Sequence, residues 1–188
     1  MSERVDIDLL RELGETSTNA SNAWAGADNY LTRGMMIWTS RIIGDDQVVA
    51  VRAALAACAL VVPSYPTTGG GAQAPRRYID EMLAGITRWT ENPSHTNKET
   101  VRSSLDTSRQ LHAWQGHQNS PAFWTLEAVD HACLAVWSGG RSSYIVPLDF
   151  TTCVARSVTC VLRSLLASGH PEQQACEAVL GAIRSVTG

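Results

Sequence analysis

Apolar residues recur at the three-and-four spacing of a helix in segment after segment, and no stretch alternates apolar with polar residues as a half-buried strand does. From residue 75 onward these segments are sharply punctuated. Pro75 suits a first helical turn, where its missing N–H has no intrahelical bond to lose. Ile79, Met82, Leu83, Ile86 and Trp89 then mark one buried face that ends at Asn92-Pro93. The spacing predicts a second helix from about Lys98 to His117 on the stripe Val101, Leu105, Ser108, Leu111, His112 and Trp114, whose small residues imply a tightly packed neighbour. A third follows the cap-then-proline start Ser120-Pro121, places Leu126, Val129, Cys133, Val136 and Trp137 on one face, and stops at Gly139-Gly140. The fourth starts near Pro147-Leu148-Asp149, carries Phe150, Val154, Val158, Val161, Leu165 and Leu166, and ends at Gly169. The fifth begins at Pro171-Glu172, with Cys176, Val179, Leu180, Ile183 and Val186 facing inward.

The N-terminal part reads as helical too. Asp6 to Leu13 is a short amphipathic segment, and Asp28 to Ile43 holds Tyr30, Leu31, Met35, Trp38 and Ile42. Asp45-Asp46 then caps a helix from Val48 to Val62, apolar nearly all round and therefore central. Residues 63–74, PSYPTTGGGAQA, form the one long flexible connection. Trp89, Trp114 and Trp137 fall at intervals of 25 and 23 residues, an irregular helical repeat in the middle of the chain. The expected fold is therefore all-α: a single-domain bundle of about seven helices spanning residues 1–188, with antiparallel neighbours.

Bulk properties narrow the partners. A chain of 188 residues with 44% hydrophobic residues fits one core. A net charge of -3 offers no global attraction for nucleic acid or an anionic membrane, so neither is expected as a partner. The first residues, MSERVDIDLLRELGE, lack a basic start followed by an apolar run, and the longest uninterrupted apolar stretch, Ala53 to Val62, is far short of the roughly 20 residues of a membrane span. A cytoplasmic location is the expectation. The five cysteines, Cys58, Cys133, Cys153, Cys160 and Cys176, have no short paired spacing and sit among apolar residues, so buried free thiols are expected.

Catalytic and cofactor signals are weak. Gly69-Gly70-Gly71 lacks the lysine and hydroxyl residue of a phosphate loop, leaving only an anion held by Arg76, Arg77 and the following helix start as an alternative to a linker. His112 and His117 point apart on a helix, His131 and Cys133 are poorly spaced, and no Glu-x-x-His pair occurs, so no metal is expected. Asp80-Glu81 read as a solvated or capping pair, Asp130-His131 could orient an imidazole, and the serines lack a nucleophile-elbow frame. No catalytic residue and no cofactor is assigned. Six tryptophans against two phenylalanines are the less common feature. Trp24, in the polar stretch NASNAWAGADN, and Trp124, beside Phe123, fit a core pattern least well, and partly exposed tryptophan and arginine are what interfaces favour. Arg76, Arg77, Trp24 and Trp124 are accordingly the candidate partner-binding residues.

The run AALAACALVVPSY, then PRRYIDEMLAGITRW after a loop, then SSLDTSRQLHAWQ and LEAVDHACLAVWSG, resembles the immunity proteins of bacterial polymorphic toxin systems over roughly residues 48–140. The matching positions are Cys58, Pro75, Arg76, Ile79 and Trp89; beyond them the later helices are poorer in alanine than the family's, and His170 is the one loose counterpart of its histidine segment. The resemblance implies a cytosolic helical protein that binds and neutralises a cognate toxin without chemistry of its own. Two other functions fit the residues: a small-molecule-binding bundle or enzyme with a pocket near Arg76, His112 and His131, and a structural or regulatory homo-oligomer that buries its tryptophans between copies.

Overall fold

A computed structural model describes residues 43–67, 76–112, 120–137 and 149–187; these form six α-helices, with no strand among the described residues. They are α1 (Gln47–Cys58), α2 (Arg76–Glu91), α3 (His95–His112), α4 (Pro121–Trp137), α5 (Phe150–Ala167) and α6 (Glu172–Thr187). The all-α expectation therefore holds. The helix expected at 6–13, and all but Ile43 of the one expected at 28–43, lie outside the described residues.

Side-chain caps set most of the starts. The Asp46 carboxylate accepts from the Val48 and Val49 amides at 2.8 and 3.1 Å, and Asp149 accepts from the Thr152 amide at 2.7 Å. Ser120 Oγ accepts from the Phe123 amide at 3.1 Å. Each takes up one or two of the donors that a first helical turn leaves without partners. Helix α3 starts at His95, earlier than the Lys98 predicted, because Ser94 caps it by accepting from the Asn97 amide at 3.3 Å. At the other end of α5, Gly169 adopts φ +86 while the amides of Gly169 and His170 donate to Leu166 and Leu165. That pair of bonds is a Schellman closure, and glycine reaches its left-handed φ without steric penalty.

Helix α1 ends at Cys58, short of the predicted Val62. Beyond it the chain tightens into three-residue turns, Leu60 to Ala57 and Val61 to Cys58, and then a 3-10 turn over Val62–Ser64. Pro63 has no N–H to donate to the Ala59 carbonyl, so α-helical bonding cannot run on through this stretch. The start of the connection expected to be flexible is thereby ordered: Tyr65 is only 3% exposed. Residues 68–75 lie outside the described ones.

Helices α4 and α5 form the closest pair, antiparallel and joined by small polar residues. Ser157 Oγ donates to the Ala128 carbonyl at 2.7 Å, Ser164 Oγ donates to the Pro121 carbonyl at 3.0 Å, and the Thr125 and Ser164 hydroxyls lie 2.9 Å apart. Short side chains let the two backbones approach, and every hydroxyl that is buried there finds an acceptor. Helix α1 lies along this pair, antiparallel to α4. Its Gln47 amide donates to the Ala135 carbonyl near the end of α4 at 2.7 Å, and its Cys58 thiol reaches Ser157 at 3.7 Å. Ala50, Ala53, Ala54 and Ala57 have no exposure, as expected of a helix packed against α2, α4, α5 and α6.

Helices α2 and α3 form an outer hairpin on α4. Gly85 of α2 faces Val101 of α3, so the small residue at this close approach lies on α2 and not on α3. Ile79, Met82, Ile86 and Trp89 are buried as predicted, and Arg52 of α1 donates to the Thr90 carbonyl at 3.0 Å, tying α1 to the end of α2. In α6 the predicted stripe is buried except for Val186, which is 37% exposed rather than inward, because the last turn of the helix runs past the core. Helix α5 is long and apolar enough to cross a membrane by composition. It carries Arg156 and Arg163 and packs against α1, α4 and α6, the setting of a core helix.

Candidate functional site

The first turn of α2 carries the two candidate arginines. Arginine here opposes the positive end of the helix dipole, and each side chain finds a local compensation. Arg76 Nε lies 2.9 Å from Asp80 Oδ1, one turn along the helix, in a bridge open to water. Arg77 is exposed, donates to the Tyr78 hydroxyl at 2.9 Å, and holds its guanidinium 4.8 Å from the centre of the Tyr78 ring. The helix beneath them is fixed by Ile79 and Met82, which are buried. The result is a guanidinium–phenol pair on the first turn of an anchored helix, with the Arg77 side chain exposed and Tyr78 half-buried. A guanidinium so held can accept a carboxylate or phosphate in its planar fork.

Trp124 is not at the surface. It is 7% exposed, meets Phe123 edge-on at 4.9 Å, and lies under the Arg163 guanidinium of α5 at 4.3 Å. This corrects the expected partial exposure; the physical reason is a cation–π contact from a residue 39 positions downstream that seals the ring. Removal from water also depresses the pKa of Arg163, which the neighbouring Cys160 partly offsets. Trp137 is half-buried under two cations of α3, Arg102 at 4.8 Å and Lys98 at 5.6 Å. Trp24 lies outside the described residues.

His131 and Glu127 sit one turn apart on α4, with 3.8 Å between Nε2 and Oε2 and side chains only 12% and 15% exposed. The i,i+4 spacing of Glu127 and His131 is the sequence signal for this pair, which the adjacent Asp130-His131 does not supply. Across the seam on α5 stand Arg156 and Arg163, whose charges act on the Cys160 thiol between them together with that of Glu127. The structure places Arg76 on α2 and His131 on α4, each engaged by a carboxylate of its own helix; the side chain of His112 lies outside the described residues.

The five cysteines are buried and none is in a disulfide, as expected. Burial pushes the Cys58 thiol up to about 12, with the Ser157 hydroxyl pulling slightly the other way. Cys160 is raised as well, by burial first and by Glu127 second, against Arg163 and Arg156. A thiol held protonated is a poor nucleophile and a poor metal ligand. Among the described residues no three of His, Cys, Asp and Glu are grouped so as to hold a metal ion. No protein-family model, curated protein or solved structure matches the chain.

Proposed function

We propose that this chain is a non-catalytic protein-binding module, an immunity-type protein that seats on a cognate bacterial toxin in the cytoplasm and neutralises it by occlusion. The observation that carries this reading is the exposed Arg77 held over Tyr78 on the first turn of α2, beside the Arg76–Asp80 bridge. Tyrosine and arginine are the residues that dominate interface energies. A guanidinium already fixed in place loses less freedom on binding, and an exposed bridge such as Arg76–Asp80 is worth at most about 1 kcal/mol, so a partner carboxylate displaces Asp80 at little cost. The resemblance over residues 48–140 supplies the toxin as the class of partner. The protonated, buried state of the Cys58 and Cys160 thiols favours a scaffold over a thiol enzyme.

The test is co-expression with the product of a toxin gene lying immediately upstream, followed by size-exclusion chromatography. A single stoichiometric complex, together with rescue of growth in cells expressing the toxin, is the expected result. Separate elution and no rescue would overturn the reading. A pocket enzyme built on Arg76, His112 and His131 has less support, because Arg76 and His131 are each engaged one turn away on their own helices.

A further inference from the structure

We draw no further inference here: the strongest candidate, the half-buried side-chain cluster of Glu127 and His131 on α4 with Arg156 and Arg163 on α5 along the α4–α5 seam, carries nothing because all four side chains already interact within the chain and nothing in the structure shows what covers that face.

Discussion

Ser157 of α5 and Ala128 of α4 are joined by a fully buried hydrogen bond, with the serine hydroxyl donating to the carbonyl across 2.7 Å. The same hydroxyl meets the Cys58 thiol of α1, so one small polar side chain touches three helices. Its value lies in register: sliding α5 along α4 by one residue would strand the hydroxyl among apolar side chains, which is unfavourable by roughly 1–3 kcal/mol. Ser157→Ala should lower stability by about 1 kcal/mol, since the Ala128 carbonyl keeps its own helical bond. Ser157→Leu should lower it by several times as much through overpacking at a residue with no exposure. Urea titration of the two variants checks this; equal midpoints for Ser157→Leu and wild type would mean that the α4–α5 approach is not close.

Glycine substitutions should separate by backbone geometry. At Gly181, in the middle of α6, an added Cβ meets nothing within 4 Å, so Gly181→Ala should stabilise the chain by about 0.5–1 kcal/mol through helix propensity. At Gly169 the space is equally open but φ is +86, and Gly169→Ala should destabilise by roughly 1–2 kcal/mol. Thermal melts that moved the same way for both variants would count against the Schellman closure.

Trp89→Ala should lose about 3–5 kcal/mol, because a large side chain that is 5% exposed would leave a cavity between α2 and its neighbours. A melting temperature equal to wild type would show that this position is not core.

Local signals were the legible part of the fold. Asp46, Ser120, Asp149 and Gly169 announce their helix ends because capping depends on residues within one turn. The early end of α1 was legible in part from Pro63, yet the apolar run to Val62 points the other way; at its end Val61 and Val62 are buried, but as turns rather than α-helix. Contacts between distant segments were not legible. Nothing near Trp124 indicates that Arg163 covers it, and nothing near Arg52 indicates the Thr90 carbonyl. Apolar periodicity reports which face is buried and is silent on which cation closes it. Arg76 and Arg77 could be placed at a helix start, and the i,i+4 spacing of Arg76 and Asp80 signals their bridge, whereas the hold of Arg77 on the Tyr78 hydroxyl depends on side-chain conformation.

Alkaline pH should weaken the fold before it reaches the arginines. The Cys58 thiol is raised from 9.0 to about 12 in the folded chain and the Tyr65 hydroxyl from 10.0 to about 12, both by burial. Below pH 9 the folded and unfolded chains hold these protons equally, and stability is fully present. From pH 9 for Cys58 and from pH 10 for Tyr65, up to about 12, the unfolded chain releases a proton that the folded chain keeps, so stability falls by up to about 1.4 kcal/mol per pH unit for each group. Urea midpoints measured from about pH 8 to about pH 11 should decline steadily. A Cys58→Ser variant whose midpoint declined as steeply as wild type would assign the loss to other groups. A thiol-reactive disulfide reagent at neutral pH should likewise titrate five cysteines only after denaturant is added.

The charge reversal Arg76→Glu with Arg77→Glu tests the proposed partner-binding face. Folding should survive it. A carboxylate in the first turn gains from the helix dipole about as much as it loses from the neighbouring Asp80 and Glu81, each effect being roughly 0.3–1 kcal/mol. The exposed Arg77–Tyr78 contact adds a loss of similar size. Recognition should not survive it, because two guanidinium forks become two anions facing whatever acidic groups the partner presents, a juxtaposition that suppresses association by several kcal/mol. The measurement is size-exclusion or calorimetric titration of the cognate toxin against wild type and the double variant, with circular dichroism confirming equal helicity. Arg76→Lys with Arg77→Lys separates charge from geometry: partial binding would assign the contribution to the planar fork, and full binding to charge alone. Undiminished affinity of the glutamate variant would remove the first turn of α2 from the interface and with it the observation on which the binding proposal rests.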